Sequence, residues 1–84
     1  MHELALAAEI VEVAVRAAGD SRVVSAVQVS VDPASHVDGA RLADAFEIAA
    51  AGTRIAGARL EVAAEAVSGL VAVTSVDVVD GGPA

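Results

Sequence analysis

The single aromatic residue, Phe46, constrains the possible folds of this chain more than any other feature of its sequence. Hydrophobic residues make up 56% of the 84 residues, and nearly all of them are Ala, Val, Leu or Ile. This composition is ample for a core and argues against disorder. A chain of this length forms one domain at most. Its core must therefore be built from small, branched side chains that pack closely.

The charge and the absence of cysteine exclude several classes of function. The formal net charge is −7, from 12 acidic and 5 basic residues, and an acidic surface repels phosphate backbones. Nucleic acid is therefore not expected as a partner. The basic residues are all Arg, so no Schiff-base lysine is available. Without cysteine the 84 residues can form no disulfide, thiol nucleophile or cysteine-ligated zinc site.

The sequence shows no targeting segment and no membrane span. It begins with an acidic stretch rather than the basic start of a signal peptide. Its longest uncharged stretch, 66–76, is too short to cross a bilayer. We therefore expect a cytoplasmic protein with no membrane partner.

The hydrophobic periodicity predicts the order helix, strand, helix, strand, strand, which is an α/β (α+β) chain. The predicted helices are 3–18 and 39–51, and the predicted strands are 22–31, 58–66 and 70–79. The two strands that flank the second helix are expected to be parallel, with a right-handed crossover. The last two strands are expected to pair as an antiparallel hairpin. Both helices then cover one face of a small mixed three-stranded sheet.

Alternation within the strands predicts which side chains share a face. On the first strand one face carries Val23, Val27, Val29 and Val31, with Ser25 between them. On the second strand Leu60, Val62 and Ala64 are expected to face the core. The second helix is expected to bury four residues: Leu42, Ala45, Phe46 and Ala49.

The start of the chain, Met1-His2-Glu3, carries the most specific chemistry. With a free amino terminus, the α-amine of Met1, the deprotonated backbone nitrogen of His2 and its imidazole can bind one ion together. Such fused rings favour a flat arrangement, which suits Ni(II) or Cu(II) better than tetrahedral Zn(II). Glu3, through its backbone or carboxylate, or a water would supply the fourth donor. A histidine at position 2 has little specificity by itself, and an exposed histidine without a ligand role is the alternative.

The other polar residues of the sequence have ordinary structural explanations. His36 is expected to be a solvated loop histidine, Asp32 a turn former and Asp38 a helix cap. The sequence contains no phosphate loop, GxSxG elbow or HExxH helix, and no carboxylate pair poised for acid–base catalysis. An enzyme is therefore not expected.

Several short motifs follow one another along the chain in an order that is itself informative. They are Met1-His2-Glu3-Leu4, the strand 23–31, Ala45-Phe46-Glu47, Gly52-Thr53, and the segments 57–62 and 73–78. Together they resemble the HypA-type hydrogenase nickel-incorporation proteins, the HypA/HybF family. The resemblance covers nearly the whole chain. It predicts a single nickel-binding domain over 1–80, followed by a disordered tail at 81–84.

The resemblance also implies a site, a cargo and partners. The implied Ni(II) ligands are His2 with Met1 and Glu3. The implied partners are a nickel-handling GTPase and the large-subunit precursor of a nickel–iron hydrogenase. The family's zinc-binding insertion would fall between Ala66 and Ser68, where this chain has only a short turn, so no zinc is expected. The alternative is a metal-free HypA-like module that binds a protein partner or a second copy of itself, forming a homodimer.

Overall fold

The computed structural model describes residues 3–19, 22–67 and 69–80 of the chain. The elements are α1 (Glu3–Ala18), β1 (Arg22–Val31), a short 3-10 helix (Pro33–Ser35), α2 (Gly39–Ala50), β2 (Arg59–Ala64) and β3 (Val71–Asp80). The predicted type and order of the two helices and three strands are confirmed, with ends that differ by at most two residues. The predicted tail, 81–84, lies outside the described residues.

The three strands form one mixed sheet in the order β2-β1-β3. β1 is parallel to β2, with Val27 opposite Leu60, as predicted. β1 is also antiparallel to β3, with Val27 opposite Val76. The predicted hairpin of the last two strands is therefore wrong, because the chain crosses the end of β1 after β2 and adds β3 at the other edge. The ten residues of β3 can pair with β1 along its whole length, whereas β2 offers only six.

Two β-bulges shift the register between β1 and β3. One inserts Ser25 on β1 and the other inserts Thr74 on β3. A bulge reverses the side to which the following residues point. For this reason Val24 is 4% exposed and faces the core, whereas Val23 is 53% exposed. The predicted placement of Val23 on one face with the other three valines is therefore wrong, since those three are buried.

Both helices cover the same face of the sheet and run side by side in the same direction. α1 leads into β1 through a short turn, and α2 follows β1 after the 3-10 helix. Each helix therefore runs antiparallel to β1. Ala7 and Ala14 of α1 are completely buried, which indicates that small side chains let this helix approach its neighbours closely. The largest fully buried side chains are Phe46, Leu42 and Ile55.

The start of α2 explains one further difference at the edge of the core. Asp38 caps the helix, since its Oδ1 accepts hydrogen bonds from the N–H groups of Ala40 at 2.9 Å and Arg41 at 3.2 Å. A Cβ atom added to Gly39 would lie 3.3 Å from Cγ1 of Val62, so α2 begins directly above Val62. Ala64 lies two residues further along β2 and is exposed, contrary to prediction. The helix does not extend far enough to cover it.

We predict that Phe46→Ala lowers the free energy of unfolding by about 3 to 5 kcal/mol, because it removes a fully buried phenyl ring from a small core. Ile48→Ala on the same helix is the matched control, since Ile48 is 68% exposed. Its effect should stay within about 0.5 kcal/mol. Urea unfolding followed by circular dichroism measures both. Equal losses in the two variants would contradict the packing described here.

Candidate functional site

The fold brings the start of α1 to the end of the molecule where β1 and β2 finish. The C-terminal ends of the two helices lie together at the opposite end, where the Arg54 guanidinium donates a hydrogen bond to the carbonyl of Gly19. Because the helices run in the same direction, their N-termini also share an end. That end comprises Glu3, the loop from Asp32 to Asp38 and the start of β3.

Glu3 is the only one of the three predicted ligands that lies within the described residues. It is the first residue of α1 and is half-buried. Met1 and His2 lie outside the described residues. The N–H groups of the first helical turn have no acceptor within the helix, and the carboxylate of Glu3 lies at the positive end of the helix dipole. Backbone nitrogens at this position can therefore change partner without breaking a helical hydrogen bond.

His36 occupies the exposed loop between the 3-10 helix and α2. It adopts a left-handed conformation with φ of 57°, and its backbone N–H donates to the carbonyl of Pro33 at 3.3 Å. This backbone bond closes the 3-10 helix. The prediction of an exposed loop histidine is confirmed, and the side chain is a suitable reference for the behaviour of a histidine outside the predicted site.

Asp32 holds this end of the molecule together more extensively than the sequence indicated. Its Oδ1 accepts from the N–H of Ala34 at 2.9 Å, which confirms the predicted turn. Its Oδ2 accepts from the N–H of Val67 at 3.3 Å, and its own N–H donates to the carbonyl of Leu70 at 2.7 Å. These two bonds hold the β2–β3 connection against the end of β1. Sequence analysis missed them because they depend on the crossing of β1 and not on a hairpin.

No group of three or more His, Cys, Asp or Glu side chains in residues 3–19, 22–67 and 69–80 is arranged to hold a metal ion. No helix in this part of the chain is long and apolar enough to cross a membrane.

A second polar cluster lies on the open face of the sheet, away from the helices. The side-chain amide of Gln28 donates to Glu61 at 2.7 Å and to Asp77 at 2.9 Å, and it accepts from the hydroxyl of Ser75 at 2.7 Å. Arg59 donates to the other carboxylate oxygen of Glu61 at 3.1 Å. One glutamine on the central strand therefore connects all three strands.

These hydrogen bonds change the acidity of Glu61. The bond from Gln28 is the largest cause that lowers the pKa of the Glu61 carboxyl, and the bond and charge of Arg59 act in the same direction. Desolvation acts in the opposite direction. Charged donors and amide donors both stabilise the ionised carboxylate.

Comparison with known proteins identifies the family. A family model described as hydrogenase/urease nickel incorporation, metallochaperone, HypA, matches residues 1–71 of the 84. The chain belongs to the HypA family. The HypA match includes Met1, His2 and Glu3 and extends from α1 to the first residue of β3. No curated protein matches the chain.

Membership of the HypA family confirms the predicted resemblance and the general role of a nickel metallochaperone. HypA proteins are nickel metallochaperones of hydrogenase and urease maturation and not catalysts. The family therefore supports Ni(II) in general as the metal of interest. The family is associated with urease as well as with hydrogenase, the enzyme that the sequence resemblance indicated.

We predict that Gln28→Leu raises the pKa of the Glu61 carboxyl towards its ordinary value of 4.5, because the largest stabilising donor is lost. Arg59→Gln should raise it less. The lowered pKa stabilises the folded state above the ordinary pKa of glutamate, and this contribution is lost as the pH falls through the folded-state pKa. Carboxyl-detected NMR titration measures the pKa. An unchanged pKa in Gln28→Leu would show that Gln28 does not bind Glu61.

Proposed function

We propose that this HypA-family chain carries Ni(II) at its N-terminus and delivers it to a partner in the cytoplasm. The proposed ligands are the α-amine of Met1, the backbone nitrogen and the imidazole of His2, and Glu3. The observation that carries the proposal is the family match, which begins at residue 1 and so includes all three residues. The proposed recipients are a nickel-handling GTPase and the large-subunit precursor of a nickel–iron hydrogenase.

The described start of α1 supports this ligand set. Binding of nickel through the backbone nitrogen of His2 requires loss of the amide proton. This loss would cost a hydrogen bond if that N–H were bonded within a helix. α1 begins at Glu3, and hydrogen bonds within an α-helix join each N–H to the carbonyl four residues earlier. No helical bond therefore has to be broken for a nitrogen at or before Glu3 to bind nickel.

The charge of the protein also suits a divalent cargo. The net charge of −7 attracts cations to the surface, and Glu3, the next residue after His2, adds a carboxylate. A flat arrangement of nitrogen donors with one oxygen donor is typical of Ni(II) and Cu(II) sites. The histidine and carboxylate supply such donors without cysteine, so the proposal needs no thiolate ligand.

A carrier must release its cargo, and the position of Glu3 is consistent with exchange. The residue lies at the beginning of the chain's first helix, beside loops at one end of the molecule, and is not enclosed in the core. Residues near a chain terminus can move away from the fold at little cost in stability. A partner that offers competing ligands can therefore take the ion without unfolding the domain.

We predict that His2→Ala abolishes high-affinity Ni(II) binding and leaves the fold intact. Loss of a residue that merely orients a metal ligand typically weakens binding about 10- to 100-fold, so loss of the ligand itself should cost at least as much. Isothermal titration calorimetry with Ni(II) measures the affinity, and circular dichroism checks the fold.

The matched control is His36→Ala, which removes the other histidine of the chain from an exposed loop. It should bind Ni(II) with wild-type affinity. Unchanged affinity in His2→Ala, or an equal loss in His36→Ala, would refute the proposed ligand set. Absence of nickel binding in the wild-type protein would favour the metal-free interaction module.

A further inference from the structure

The outer edge of β3 is the longest free backbone edge of the described sheet. β3 hydrogen-bonds to β1 along one side, and no described strand pairs with its other side. Its ten residues present about 33 Å of extended backbone. An uncovered edge of this length is a template for another strand.

An apolar groove runs between this edge and α1. It consists of two adjoining depressions of about 230 and 300 Å³ that share Val13 and Val73. We call it the α1–β3 groove. Its helical wall is formed by Leu6, Ile10, Val13 and Ala17. These residues are spaced by four, three and four positions, so they lie on one face of α1.

The β3 side of the groove is mostly apolar, with Thr74 and Ser75 as its polar members. Its apolar members are half-buried valines: Val71, Val73, Val76 and Val78. Val13 on the helical wall is 44% exposed, and it lies among other aliphatic side chains of this face. Among the described residues, Glu9 is the only charged one that lines the groove. Apolar side chains beside an unpaired strand edge match the way in which many domains bind an extended peptide.

The two faces of the sheet define what an added strand must look like. Successive side chains of a strand point to opposite faces. One set would enter the α1–β3 groove and should be aliphatic. The other set would lie on the open face, next to Ser75 and the carboxylate of Asp77, where a positive charge is favoured. The net charge of −7 favours a basic partner further.

A second copy of the chain fits this surface poorly. The sequence of β3 contains two Asp and no Lys or Arg, so self-pairing would bring acidic strands together without a compensating charge. Each copy also carries a net charge of −7. The charge pattern thus favours a different protein over a homodimer at this edge.

We propose that the α1–β3 groove binds an extended segment of a partner protein, which adds as a fourth strand beside β3. Aliphatic side chains of that segment enter the groove, and alternate basic side chains lie beside Asp77. The proposal goes beyond nickel binding and does not depend on it. The groove begins at Leu6, one helical turn from Glu3, so a partner bound here would be held close to the proposed nickel site.

The test uses the full metal-free chain and a fluorescein-labelled synthetic peptide of nine residues that alternates arginine with valine. We expect saturable binding by fluorescence anisotropy. Hydrogen exchange should show peptide-dependent protection of amides in β3. A peptide of the same composition, with its valines and arginines in two separate blocks, should bind about tenfold more weakly, since it cannot place valines on one face only.

Val13→Gln tests the helical wall of the groove. Ile48→Gln is the matched control, because Ile48 lies on α2 and is 68% exposed. Val13→Gln should weaken binding of the alternating peptide about tenfold, and Ile48→Gln should leave it unchanged. Should Val13→Gln fail to fold, protection of β3 in the wild-type protein still tests the proposal.

Three results would overturn the proposal. They are the absence of saturable binding, equal effects of Val13→Gln and Ile48→Gln, and sedimentation of the peptide-free protein as a dimer whose β3 amides are already protected. The His2→Ala variant should bind the peptide like the wild type. Its behaviour separates failure of this proposal from failure of nickel binding.

Discussion

β1 is the strand on which the rest of the described structure depends, because it hydrogen-bonds along both of its edges. The parallel ladder to β2 and the antiparallel ladder to β3 are both built on it. Its inward valines form the floor of the core beneath the two helices, and Gln28 on its other face joins the side chains of all three strands. Asp32, directly after β1, then holds the β2–β3 connection in place.

The direction of β1 also determines where the functional end lies. Both helices run antiparallel to it, so the beginnings of α1 and α2 meet where β1 ends. Glu3, the one proposed nickel ligand among the described residues, begins α1, and the α1–β3 groove begins one turn further along the same helix. The two proposals therefore involve neighbouring parts of α1, Glu3 for the nickel ion and the α1–β3 groove for the partner segment. A partner strand held in the groove would raise the local concentration of its own metal ligands near Glu3.

Local patterns in the sequence predicted the elements well, because periodicity and caps depend on neighbouring residues. The capping role of Asp38 and the burial of Leu42 and Phe46 are examples. The pairing of β3 was not predictable in this way, since a short turn allows a hairpin but does not require one. The inward position of Val24 was missed because a bulge at Ser25 leaves no mark in the alternation. The hydrogen bonds between Asp32 and the β2–β3 connection were missed for the first reason, because they depend on the pairing of β3 with β1.

The candidate site was predictable only as a motif and a family. Met1-His2-Glu3 identifies donor atoms from covalent chemistry, and the HypA match supports nickel as the cargo. The described structure contributes Glu3 at the first position of α1. Which donors bind the ion is a question of coordination that neither hydrophobic patterning nor packing addresses.

The most direct test is a Ni(II) titration of the protein with Met1 as its first residue, beside a copy that carries one extra residue before Met1. The extension moves the terminal amine out of the chelate and leaves His2 and Glu3 in the chain. The account predicts tight binding that is lost on extension. Equal affinity in the two forms would contradict a site built on the Met1 amine.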